Sequence, residues 1–103
     1  MPRAEEMLHL PTEYALRVPY PNPFNSEVVV KYSLPREGDV ELVVYNTLGQ
    51  AVRRLAKGHQ GMGHHRVVWD GRDDAGRGLA TGTYLVQLRA ETFQTVQKLT
   101  LVK

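Results

Sequence analysis

Tyr20-Pro21-Asn22-Pro23-Phe24-Asn25 is the stretch that decides the fold, because it separates a short opening segment from a series of alternating strands. Proline fixes φ and lacks a backbone N–H, so Pro21 and Pro23 exclude both a helix and a central strand at this point. Two further motifs, at 69–71 and 82–84, mark the boundaries of later strands. The structural motif residues are Pro21, Asn22, Pro23, Phe24, Asn25, Trp69, Asp70, Gly71, Gly82 and Tyr84.

The motif glycines carry a specific expectation about the backbone. Gly71 and Gly82 each stand beside a predicted strand, where we expect conformations that other residues reach only with strain. Gly82-Thr83-Tyr84 at a strand start is similar to the tyrosine corner of immunoglobulin-like (Ig-like) folds. These motifs are typical of a scaffold or a recognition domain rather than of a catalytic site.

The remaining sequence predicts about seven strands and no helix. The strands are expected at 13–18, 27–34, 40–46, 51–56, 64–70, 83–90 and 93–102, with loops at 57–63 and 71–82. Apolar residues alternate with polar ones in these segments, which is the period of a strand with one buried face. Short strands at regular spacing predict an all-β fold, a seven-stranded antiparallel Ig-like β-sandwich.

Composition limits the chain to one domain and excludes several classes of function. The chain has 103 residues, a net charge of +2 and no cysteine, which rules out disulfides, zinc–thiolate sites and cysteine nucleophiles. The positive charge is too small and too scattered to indicate nucleic acid, and no apolar run approaches the ~18 residues of a membrane span. Residues 1–12 lack periodicity and are expected to be a linker or a remnant of cloning, with the domain at 13–103.

No group of residues predicts catalysis or a cofactor. His64 and His65 are adjacent on a strand and point to opposite faces, so they do not share a metal. Asp70, Asp73 and Asp74 are candidate calcium ligands, but Arg72 interrupts the EF-hand spacing, and a network of capped turns is the alternative. We therefore expect no metal site and no enzyme.

The motifs together resemble the type A C-terminal sorting domain of the type IX secretion system. The matching elements are 21–25, a strand ending in Ser33-Leu34-Pro35, the segment 44–50, 69–73 and 82–84. Elements of the same kind occur in the related Ig-like domain of flagellar hook-capping proteins. The last strand also matches the family pattern, and its recognition residues are expected to be Lys98, Leu99, Thr100, Leu101, Val102 and Lys103.

The resemblance implies a non-catalytic secretion signal. Such a domain directs an upstream cargo domain of the same precursor, by way of the periplasm, to the cell surface or the medium. Its partners are the outer-membrane secretion machinery and a sortase-like protease. A last strand at a sheet edge would offer unpaired backbone groups to such a partner. The alternative is a structural spacer or a carbohydrate-binding module of an extracellular enzyme, in which Trp69 and the tyrosines would line a sugar-binding face instead of the core.

Overall fold

The chain folds into two antiparallel sheets that pack face to face around one core. The computed structural model describes residues 10–103, so most of the expected linker at 1–12 lies outside the described residues. The strands in this part are β1 (Ala15–Leu16), β2 (Val28–Leu34), β3 (Gly38–Asn46), β4 (Ala51–Gln60), β5 (Gly63–Trp69), β6 (Gly82–Ala90) and β7 (Phe93–Leu101). One sheet has the order β1-β2-β5 and the other the order β4-β3-β6-β7. The predicted all-β, seven-stranded antiparallel Ig-like sandwich is confirmed.

Most of the core comes from the apolar faces of β2, β3, β6 and β7, as the alternation of the sequence predicts, while β4 adds only partly buried side chains. Its buried members are Leu16, Phe24, Val28, Val30, Tyr32, Leu34, Val40, Leu42, Val44, Trp69, Tyr84, Val86, Leu88, Ala90, Leu99 and Leu101. Full burial of one such side chain stabilises the fold by about 1.5–3 kcal/mol. Trp69 is the largest of the fully buried side chains, and it pairs with Val28 in the β2–β5 register.

The predicted loop at 57–63 is wrong except at residues 61–62, because residues 57–60 belong to β4 and Gly63 begins β5. β4 continues to Gln60, because its second half pairs with the start of β3, where Gly38 lies opposite Gln60 and Val40 opposite Gly58. Gly58 has φ +128°, which glycine adopts without the steric cost that a side chain would add. Only residues 61–62 then connect β4 to β5.

Candidate functional site

The last strand lies at one edge of the four-stranded sheet. β7 pairs with β6, from Ala90 opposite Phe93 to Gly82 opposite Leu101. The six predicted recognition residues lie in its second half and just beyond its end. Leu99 and Leu101 are buried, Thr100 is half-buried, and Lys98, Val102 and Lys103 are exposed. A partner that binds this segment therefore meets two lysines and a valine at the surface of a strand that two leucines anchor in the core.

The outer edge of this segment is covered by the proline-rich motif. The Asn22 side chain donates from Nδ2 to the Lys98 carbonyl at 2.9 Å and accepts at Oδ1 from the Thr100 N–H at 2.9 Å. The Phe24 N–H donates to the Thr100 carbonyl at 2.9 Å, and the Phe24 carbonyl accepts from the Val102 N–H at 2.8 Å. The expectation that this edge offers unpaired backbone groups is therefore wrong between Lys98 and Val102. The motif protects an edge that would otherwise be open to pairing with another chain.

The three sequence motifs meet in one aromatic cluster. The centroid of the Phe24 ring lies 5.5 Å from that of Trp69, and the Tyr84 ring meets Trp69 edge-on with a centroid separation of 5.6 Å. Trp69 Nε1 also donates to the Arg72 carbonyl at 2.9 Å. Because Phe24 is held in this cluster, the segment that covers β7 is fixed to the core. The buried Trp69 ring is not part of a sugar-binding surface.

Tyr84 forms the corner that the sequence predicts. Its hydroxyl donates to the Ala80 carbonyl at 2.6 Å, a hydrogen bond to the backbone a few residues upstream. Burial raises the pKa of the Tyr84 phenol, so the hydroxyl remains a donor at physiological pH.

The two motif glycines differ. Gly71 has φ +73°, as expected, and an added Cβ would lie 3.5 Å from the Leu101 methyl groups. The expectation for Gly82 is wrong, because its φ is not positive and an added Cβ would have no heavy atom within 4 Å. Gly82 is instead the first residue of β6 and pairs with Leu101 in the regular ladder.

The carboxylate of Asp73 holds the loop after β5 in shape. Asp73 Oδ1 accepts hydrogen bonds from the N–H groups of Ala75 at 3.0 Å and Arg77 at 2.9 Å. Asp73 Oδ2 accepts from Arg77 Nε at 3.1 Å. The backbone hydrogen bond from Arg77 is the largest of the causes that lower the pKa of Asp73. This is the arrangement of a capped turn.

Asp70 and Asp74 fasten the same loop to β4. Asp74 Oδ1 accepts from the Arg54 N–H at 3.0 Å, and Asp70 Oδ1 accepts from the Arg72 N–H at 3.1 Å. Arg53 Nη1 lies 3.3 Å from Asp70 Oδ1. The three candidate calcium ligands thus bind backbone N–H groups and arginines.

The histidines lie in different surroundings. His64 Nδ1 lies 2.9 Å from Ser33 Oγ, while the His65 ring stacks on Tyr32 with a centroid separation of 5.1 Å. His59 lies near two carboxylates at the far end of β4. Within residues 10–103, no three His, Asp or Glu side chains are arranged to hold a metal ion. The same residues include no helix that is long and apolar enough to cross a membrane.

Sequence reasoning missed two features of the surface. One is the reach of Asn22 to β7, which joins residues 76 positions apart. The other is a set of three cations, Arg17, Lys31 and Arg66, on the outer face of the three-stranded sheet. Neither has a local signal, because both depend on which segments the fold brings side by side.

Comparison with solved structures supports the sandwich fold. Dimeric latent PorU from Porphyromonas gingivalis aligns with a TM-score of 0.69 and 18% identity over 84% of this chain and 9% of that chain. PorZ from the same organism, described as an essential bacterial surface component of the type IX secretion system, aligns with a TM-score of 0.56 and 17% identity over 86% of this chain and 12% of that chain. At these identities the likeness is one of fold.

FlgD from P. aeruginosa has a higher identity to this chain. It aligns with 27% identity and a TM-score of 0.56 over 72% of this chain and 58% of that chain. The chain therefore spans less than two thirds of each of these three structures. No curated protein sequence matches it. Residues 24–93 match the family described as the FlgD Ig-like domain, and since this match takes in most of the sandwich, the chain belongs to that family.

Proposed function

We propose that this domain is a type A C-terminal sorting domain, a non-catalytic signal that directs a cargo protein through the type IX secretion system. The observation that carries the proposal is the last strand, which presents Lys98, Val102 and Lys103 at the surface while Leu99 and Leu101 hold it in the core. The fold shared with PorZ, a surface component of that system, supports the proposal. In this proposal the sorting unit is residues 13–103, residues 1–12 are a linker or a remnant of cloning, and the cargo domain lies upstream in the same precursor.

The covered edge determines how a partner recognises the strand. Addition of a partner strand at β7 requires the hydrogen bonds of Asn22 and Phe24 to break first. Contact with the exposed side chains requires no such change. We therefore assign recognition to the side chains of Lys98, Val102 and Lys103. The partners are the outer-membrane secretion machinery and a sortase-like protease, and the destination is the cell surface or the medium.

Export of a reporter tests the proposal. The whole chain is fused behind a signal peptide and a reporter enzyme in a host with type IX machinery, and reporter is measured in the periplasm, on the surface and in the medium. We expect reporter outside the cell with the intact domain and periplasmic reporter after deletion of residues 99–103. Circular dichroism must first show that the truncated domain folds, because the deletion also removes Leu99 and Leu101 from the core. Retention of the intact fusion in the periplasm would contradict the proposal.

A structural spacer is the second candidate, which the match to FlgD favours. A spacer holds neighbouring domains apart and needs no recognition strand. Failure of the intact fusion to leave the periplasm, with the domain folded, is the outcome that supports this reading. Carbohydrate binding has less support, because the Trp69 ring is in the core.

A further inference from the structure

Three cationic side chains lie in a row across the outer face of the three-stranded sheet. Lys31 of β2 lies directly opposite Arg66 of β5. On the other side of β2, the Arg17 N–H donates to the Lys31 carbonyl at 2.9 Å. All three residues are exposed, and each is next in sequence to a residue that packs in or against the core. Because successive side chains of a strand point to opposite faces, the three cationic side chains point outward. Neighbouring strands are about 4.8 Å apart, so the row spans about 10 Å.

Within the part of the chain that the structure describes, no carboxylate pairs with this row. Among the salt bridges of residues 10–103, none involves Arg17, Lys31 or Arg66. Elsewhere on the surface, arginines do find carboxylates, as Arg36 does with Glu91 at 3.2 Å. Like charges directly opposite each other destabilise a sheet, so the row costs stability unless an anion lies against it.

The row forms part of a cleft of about 700 Å³. Val18 and Tyr20 also line this cleft, and no acidic residue does so among the described residues. Its volume is within the range of about 300–1,000 Å³ that is usual for small-molecule sites. Lys31 Nζ lies 5.4 Å from the centroid of the Tyr20 ring. A hydrogen bond with Lys31, together with the nearby charges of Lys31 and Arg66, lowers the pKa of the Tyr20 phenol.

We propose that this cleft binds a small phosphate-bearing ligand, with Arg17, Lys31 and Arg66 as its cationic contacts. Guanidinium groups match the oxygens of a phosphate in a bidentate geometry, and an ammonium group adds a point charge. Three cations balance a phosphate dianion better than they balance a single carboxylate. The cations lie in a concave cleft that the Tyr20 ring also lines, and this shape favours a small soluble ligand over the flat surface of a membrane. The proposal does not depend on the sorting role, because the cleft lies on the other sheet from β7.

NMR titration of the whole chain tests this site. Inorganic phosphate and phenyl phosphate are added at constant ionic strength, with acetate as the control anion. We expect saturable shifts at the amides of Arg17, Lys31 and Arg66 and a rise in the pKa of the Tyr20 phenol when phosphate is bound. The double variant Lys31→Gln/Arg66→Gln should weaken the affinity at least about tenfold, since each lost contact is a charge-assisted hydrogen bond.

A matched variant distinguishes binding at this site from an effect of the net charge of the protein. Lys57→Gln/Arg89→Gln removes the same charge from exposed positions on the four-stranded sheet, where Asp39, Glu41 and Glu91 lie close by. It should leave the affinity within about twofold of the wild-type value, because screened distant charges contribute little. Equal weakening in the two variants, or shifts that never saturate, would overturn the proposal. Binding to phosphatidylglycerol vesicles without binding to phenyl phosphate would also overturn it, in favour of a membrane surface.

Discussion

Replacing Trp69 with alanine removes the side chain around which the motifs pack. The ring is 0% exposed and touches Phe24 and Tyr84. Substitution of a buried tryptophan by alanine costs about 3–5 kcal/mol. The Arg72 carbonyl also loses its hydrogen bond from Nε1, which adds about 0.5–1.5 kcal/mol. Small domains have a free energy of unfolding of about 5–15 kcal/mol, so the variant retains little of its stability.

Urea unfolding followed by far-ultraviolet circular dichroism measures this loss. Fluorescence is unsuitable, because Trp69 is the single tryptophan of the chain. Trp69→Phe keeps an aromatic ring but loses the hydrogen bond, so its stability should lie between those of the wild type and Trp69→Ala. Leu48→Ala is the control, since Leu48 is 81% exposed and its loss should change stability by no more than about 0.5 kcal/mol. A Trp69→Ala midpoint equal to that of the wild type would refute the packing described above.

Three further predictions concern the turns around the motifs. Gly71→Ala should lower the free energy of unfolding, measured by thermal denaturation, by about 1–2 kcal/mol because the φ of Gly71 is +73°. Gly82→Ala should lower it much less, and equal losses would contradict the strain assigned to position 71. Tyr84→Phe removes the hydrogen bond to the Ala80 carbonyl, so its free energy of unfolding in urea should be about 0.5–1.5 kcal/mol lower than that of the wild type. An unchanged urea midpoint would argue against that hydrogen bond. Because the pKa of Asp73 is lowered in the folded protein, its ionised carboxylate stabilises the fold at pH values above its ordinary pKa of 3.8. This stabilisation is lost as the pH falls through the lower pKa of the folded state. The difference in urea midpoint between wild type and Asp73→Asn should therefore shrink below about pH 4, and a difference that stays constant in acid would show that ionisation is not its source.

Local patterns were sufficient to predict most of the fold. The alternation in β2 and β6 placed Val28, Tyr32 and Val86 in the core, because the period of two is set within each strand. The end of β4 was mispredicted because its glycine-rich sequence is typical of a loop. Pairing with the start of β3 outweighs that local preference, and Gly58 accommodates the unusual φ.

The candidate sites depend on contacts that the sequence does not show. The prolines indicated that 20–25 is not a central strand, but not that Asn22 would reach Lys98 and Thr100. The row of cations likewise requires the register that sets Lys31 opposite Arg66. Gly82 was misassigned because a glycine before a strand has the same sequence pattern whether or not its φ is positive.

Charge reversal on the last strand tests most directly whether its exposed side chains are recognised. Lys98→Glu/Lys103→Glu is compared with Lys57→Glu/Arg89→Glu in the export assay, after circular dichroism has shown that both domains fold. All four positions are exposed, and reversal of Lys98 and Lys103 should cost little stability. Lys57 and Arg89 both lie opposite Glu41, so their reversal costs more stability, and circular dichroism has to show that this control domain is folded. The account predicts that the first variant leaves the reporter in the periplasm and that the second exports it at the wild-type level. Full export of Lys98→Glu/Lys103→Glu would contradict recognition through these side chains.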